Sequence, residues 1–169
     1  AYTRKVKAVP TRYIAGETWG NFIEMAKHDE TLLTGVFLFN DNTQNTEQAG
    51  LFPNIQQARG LGNAGIRPLE ADGHAFGVST GPYGNLEEEV FIQLPGENAR
   101  QKHTAKEVIN QGLDRGVDMF VKNEEKEFLY YSINPDAPPN STTLGLSTFA
   151  GAVGPDVVEY ISSLIQQFP

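Results

Sequence analysis

The chain contains no cysteine, two methionines, one tryptophan and three histidines in 169 residues. The first absence excludes disulfides and thiolate metal centres outright. His28, His74 and His103 stand apart, with no His-x-His or His-x-x-x-His spacing, so they read as surface or turn residues, and neither a metal nor another cofactor is expected. No stretch approaches the roughly 18 consecutive apolar residues of a membrane span, and the N-terminus lacks the charged-then-apolar pattern of a signal peptide. The expectation is a soluble, cytoplasmic protein without membrane association. Basic residues are also scarce: 13 Lys and Arg stand against 21 Asp and Glu, for a formal net charge of −8. Duplex binding relies on cations that neutralise phosphates, so nucleic acid is not an expected partner. Arg4, Lys5, Lys7 and Arg12 crowd the N-terminus, either as a charge-protected edge strand or as the flank of a small anionic ligand.

What is present suits one domain, residues 1–169, with its own core: the hydrophobic share is 39% and the aromatic share 10%. Alternation over Arg4 to Val9, ending before Pro10, predicts an edge strand. Thr18 followed by Trp19, Phe22, Ile23 and Ala26 predicts a capped amphipathic helix. Val36 to Phe39 and Ala75 to Ser79 are apolar without alternation, as in strands covered on both faces. Between them, Asp41 to Glu47 reads as a loop and Asn54 to Arg59 as a short helix. Leu86 to Leu94 is ambiguous between a strand centred on Val90-Phe91-Ile92 and a helix opening at Leu86-Glu87-Glu88-Glu89. Thr104 to Lys122 is the clearest helix, with Thr104 and Glu107 matching a capping box. Gly112 and Gly116 weaken it by about 1 kcal/mol each relative to alanine and suggest a close approach to a sheet. Phe128 to Ile133 predicts a strand, Asn134 to Asn140 a proline-rich loop, and Asp156 to Gln167 a last helix opened by Pro155. Strands alternating with helices predict a single three-layer α/β domain, a mixed sheet flanked by helices.

Ligands in open α/β sheets bind outside the carboxyl ends of the strands, which here carry Asn40-Asp41-Asn42 and Ser79-Thr80-Gly81. Two glycine-bearing segments follow, Gly60 to Pro68 and Gly81 to Gly84, and bare backbone amides in such loops can form an anion-binding concavity. Gly60, Gly62 and Gly65 spell a dinucleotide fingerprint only superficially, because Ile66-Arg67-Pro68 does not open a helix. Asp41 either holds a ribose hydroxyl, an amide or a water, or caps the turn after its strand. Arg67 either pairs a phosphate or pairs Asp41, Glu70 or Asp72. Asn63 fits a left-handed turn position, and Tyr83 covers a base or sugar ring or packs locally. A serine nucleophile finds no Gly-x-Ser-x-Gly context.

Phe39-Asn40-Asp41-Asn42, Gly62-Asn63-Ala64-Gly65-Ile66-Arg67 and Gly77-Val78-Ser79-Thr80-Gly81 together resemble a family of small uncharacterised bacterial and phage proteins grouped with macrodomain-like α/β folds. The resemblance covers residues 35–84 and departs at Asn40, where the family carries glycine. The Asn-Ala-Ala-Asn strand end and the triple-glycine loop of true macrodomains are absent. The resemblance implies binding, with or without hydrolysis, of ADP-ribose or a related nucleotide. Asp41 is then the catalytic candidate. Asn40, Asn42, Gly62, Asn63, Gly65, Arg67, Ser79, Thr80, Gly81, Tyr83 and Gly84 form the ligand-binding set. The alternative is a non-catalytic factor of bacterial or phage origin that works by binding another protein, its glycines serving turns alone.

Overall fold

Strands that are apolar at every position need cover on both faces, and that requirement organises the architecture. The computed structural model describes residues 6–12, 35–43, 73–134, 137–145 and 152–168. In chain order these form β1 (Lys7–Arg12), β2 (Gly35–Asn42), β3 (Ala75–Gly81), β4 (Glu89–Ile92), β5 (Gln101–Thr104), α1 (Ala105–Lys122), β6 (Phe128–Ile133) and α2 (Pro155–Gln166). The main sheet has the order β1-β6-β2-β3, and all three of its pairings are parallel. The chain is therefore α/β as expected. Its main sheet is parallel and not mixed among the described strands, the antiparallel pairing being confined to the separate β4-β5 ribbon. The helix expected after Thr18, the one over residues 54–59, and Gly62, Asn63, Gly65 and Arg67 lie outside the described residues.

Three boundaries differ from the sequence reading. Pro10 lies inside β1, paired in register with Tyr131; β1 ends the order of the described strands, where a proline without an N–H is tolerated. β2 continues through Asn42, where a loop was expected from Asp41, because the ladder with β3 extends to Asp41 opposite Ser79 and, past a bulge, Asn42 opposite Gly81. The ambiguous Leu86 to Leu94 stretch contains the strand Glu89–Ile92. Its partner Gln101–Thr104 is polar and half-exposed or exposed, so it gave no apolar signal.

Side-chain alternation sends Val36 and Leu38 of β2 into the main core, beside Phe76 and Val78 of β3 and Leu129, Tyr131 and Ile133 of β6. Phe37 instead stacks on Tyr130, with ring centroids 4.9 Å apart. Both helices contribute to the main core. Phe168, just past α2, stacks on Phe76 of β3 and meets Phe120 of α1 edge-on at 5.5 Å. The Tyr160 hydroxyl donates to Asn110 Oδ1, and the Lys106 ammonium sits 5.3 Å from the centre of the Tyr160 ring, tying α2 to α1.

Helix α1 begins as its sequence signals. Thr104 Oγ1 accepts the Glu107 N–H while Glu107 Oε1 accepts the Thr104 N–H, each at 3.2 Å. The two glycines explain how closely the helix lies on β3. A Cβ on Gly112 would meet the Gly77 carbonyl oxygen at 2.6 Å, and one on Gly116 would meet the Phe76 ring at 2.4 Å. Helix propensity is sacrificed here for proximity to the sheet. Gly112→Ala should therefore destabilise the fold by about 1–3 kcal/mol, because overpacking against backbone outweighs the propensity gain; urea denaturation with an unchanged or raised midpoint would refute this.

The start of α1 also carries an ionic clasp. His103 Nε2 lies 2.9 and 3.0 Å from the two Glu97 carboxylate oxygens, and its Nδ1 lies 3.1 Å from Glu107 Oε2. With an acceptor at each ring nitrogen, the imidazolium, which donates from both, is the form that fits. The hydrogen bond to Glu107, then that to Glu97, raises the His103 pKa above its ordinary 6.5, against a lowering by burial. The Glu97 pKa lies below 4.5, chiefly through the Leu94 N–H and then His103, and that of Glu107 through His103. Stability from the raised histidine is full below pH 6.5 and is lost as pH rises through its folded pKa; stability from the lowered carboxylates is full above 4.5 and is lost as pH falls through theirs. The stability difference between the wild type and His103→Gln should consequently be widest between about pH 4.5 and 6.5 and narrow on both sides. Denaturant midpoints across that range check the profile, and a flat difference would contradict it.

Candidate functional site

Parallel strands deliver their last residues to one edge of the sheet, and β2 and β3 both end in polar residues there. Asp41 and Ser79 are direct register partners, and both are buried, 3% and 1% exposed. Thr80, also buried, donates from Oγ1 to the Asp41 carbonyl at 3.2 Å, pinning the end of one strand to the other. Asn40 donates from Nδ2 to the Gly145 carbonyl at 2.6 Å. Gly145 in turn donates its N–H to the Ser132 carbonyl at 2.8 Å, which brings the segment after β6 to the same edge. Asn40, Asp41, Ser79 and Thr80 are thus gathered by the sheet, and the backbone of Asn42 is paired with that of Gly81.

The turn after β3 has a tightly determined path. Gly81 has φ +101°, in the region L side chains rarely adopt, and a Cβ there would meet the Tyr83 backbone nitrogen at 2.3 Å. The Gly81–Pro82 bond is cis. Tyr83 then folds back: its N–H donates to the Thr80 carbonyl at 2.9 Å and its own carbonyl accepts the Gly154 N–H at 2.8 Å, docking the turn onto the start of α2. Its hydroxyl lies 2.7 Å from Ser79 Oγ and accepts a hydrogen bond from Thr43 Oγ1 at 3.1 Å.

Two expectations change at this turn. Tyr83 is only 1% exposed, so its ring is a core element and not an open platform for a base or sugar. The amides of the turn are also committed: Tyr83 N–H to Thr80, and Gly84 N–H to Glu88 Oε1 at 3.0 Å. Proline at position 82 has no N–H to offer. A phosphate at Gly84 would have to displace the Glu88 carboxylate, so this turn is a poor anion cradle.

Burial raises the Tyr83 pKa above its ordinary 10, an effect partly offset by the hydrogen bonds from Ser79 and Thr43 and reinforced by the negative charges of Asp41 and Glu88. The hydroxyl stays protonated at neutral pH. Thr43, Tyr83 and Ser79 thus form a line of three hydroxyls at the ends of β2 and β3. Thr43 and Gly145 were missed in the sequence, since neither belongs to a motif and both arrive by tertiary contact. At the opposite edge, where β3 and β6 begin, the buried Lys126 ammonium donates to His74 Nδ1 at 2.5 Å, and burial lowers the Lys126 pKa.

Among the described residues no group of three or more His, Asp or Glu forms a candidate metal site, and no helix is long and apolar enough to cross a membrane. Comparison of the chain with protein-family models, curated proteins and solved structures finds no match.

Tyr83→Phe keeps the buried ring and removes the link between Ser79 and Thr43, leaving Ser79 Oγ buried without its partner. The expected loss is about 1–3 kcal/mol in denaturant unfolding. An unchanged midpoint would show that the hydroxyl line contributes nothing to the fold.

Proposed function

We propose that the carboxyl edge of the sheet binds a nucleotide-like ligand of the ADP-ribose class. The observation that carries this reading is the pairing of Asp41 with Ser79 at the ends of two parallel strands, since open α/β sheets characteristically receive ligands there. A buried carboxylate beside aligned hydroxyls suits the hydroxyl groups of a ribose, which donate to Asp41. The phosphates fall to the Gly60 to Pro68 segment on sequence grounds, with the amides of Gly62 to Gly65 and the charge of Arg67, because the Tyr83 and Gly84 amides are already engaged. The resemblance of residues 35–84 to macrodomain-like proteins supports the same ligand class. If the ligand is processed, Asp41 is the group that orients or activates a water for hydrolysis.

Calorimetric titration with ADP-ribose and mononucleotides tests the proposal. Saturable binding is expected, weakened about tenfold or more in Asp41→Ala and in Arg67→Ala, as befits loss of a charge-assisted hydrogen bond. Circular dichroism would verify that each variant is folded. No binding at millimolar ligand, or wild-type affinity in both folded variants, overturns the assignment.

A further inference from the structure

A groove of about 520 Å³ lies between one face of α2 and the segment at Thr142 and Thr143. Its α2 wall follows helical spacing, from Pro155 through Val158 and Glu159 to Ser162, Ser163 and Gln166. Hydrogen bonds fix both walls. Ser162 Oγ accepts the Leu144 N–H at 3.0 Å. The hydroxyl of the buried Tyr131 donates to the Ser141 carbonyl at 2.9 Å and accepts from Gln166 Nε2 at 3.2 Å. The groove is thus formed before any ligand arrives.

Its chemistry is selective. Val153, Pro155 and Val158 supply apolar surface. Around them, no hydrogen bond to another described residue occupies the hydroxyls of Thr142, Thr143 and Ser163 or the carboxylate of Glu159, and Ser162 keeps its own hydroxyl hydrogen after accepting from Leu144. Among the described residues no Lys or Arg lines the groove and Glu159 does, which disfavours an anion. No aromatic ring lines it among the described residues either, so a cation would find there one carboxylate and no ring face. A wholly apolar ligand would strip water from several hydroxyls and return no hydrogen bonds. A sugar ring answers both parts of the lining, having C–H faces for the apolar floor and hydroxyls that both donate and accept. The volume falls within the range of small-molecule sites.

We propose that this groove is a binding site for a neutral sugar ring, which rests on Val153, Pro155 and Val158 and places a vicinal diol on the Glu159 carboxylate. Its polar rim, Thr142, Thr143, Ser162 and Ser163, then supplies donors and acceptors to the remaining ring hydroxyls. The groove shares no described lining residue with the nucleotide reading; the Leu144-Gly145 segment runs between the two regions, its Leu144 N–H reaching Ser162 and its Gly145 carbonyl receiving Asn40 Nδ2.

The test is a ¹⁵N-HSQC titration of the full chain with ribose, glucose, N-acetylglucosamine and maltose, with AMP and inorganic phosphate as comparators. At least one sugar should shift the amides of Thr142, Thr143, Ser162 and Ser163 saturably. The Glu159→Ala variant should bind that sugar about tenfold more weakly, with the rest of its spectrum unchanged, and Ser163→Ala should bind it more weakly than wild type. Glu159 and Ser163 are both exposed, so neither substitution disturbs the core. The proposal is overturned by the absence of saturable shifts with every sugar at millimolar concentration, by sugar shifts indifferent to both substitutions, or by AMP or phosphate saturating the same amides in place of sugar.

Discussion

The ladder between β2 and β3 is the constraint on which the rest of the structure depends. It does not stop where the apolar residues stop. Its register carries Asp41 opposite Ser79, so these two polar side chains are drawn into burial by backbone hydrogen bonding. Buried polar groups must then be satisfied, and local contacts follow from that requirement: Thr80 reaches the Asp41 carbonyl, and Tyr83 swings back so that its hydroxyl meets Ser79 and Thr43. The abrupt turn at Gly81 allows that return, and the docking of Tyr83 and Gly84 against Gly154 sets where α2 begins.

The same ladder determines how α1 packs. β3 is buried along its whole length although it ends the order of described strands, and Gly112 and Gly116 let α1 lie directly on its backbone and on Phe76. Close packing of this kind seats α1 against the first half of β3 with no room for a side chain between them. The ionic clasp of Glu97, His103 and Glu107 holds the ribbon to the start of the same helix from outside the core.

The strongest elements were legible because their signals are local. The capping box at Thr104 and Glu107, the apolar stripe of α1, Pro155 at the first turn of α2 and the apolar runs of β2, β3 and β6 each depend on residues a few positions apart, and all appear where local physics predicts. The glycine pair in α1 was legible as a close approach, though not as an approach to Gly77 and Phe76 in particular. Strand β5 was not legible, since Gln101 to Thr104 carries no apolar alternation and is a strand only because β4 pairs with it. At the candidate site, Asp41 and Ser79 were visible as strand-end residues. Tyr83 was visible too, and of its two readings the structure shows local packing; an aromatic after Gly-Pro has no preferred partner until the strands are aligned.

The sequence by itself determined the α/β class, the extents of the two described helices and the polar character of the strand ends, because propensity, capping and periodicity act over one or two turns of chain. Only the tertiary structure decided that the main sheet is parallel in the order β1-β6-β2-β3, that Asp41 and Ser79 are neighbours, and that the Tyr83 and Gly84 amides are engaged by Thr80 and Glu88. Those outcomes rest on pairing between segments tens of residues apart. Register, unlike propensity, is a property of two strands at once.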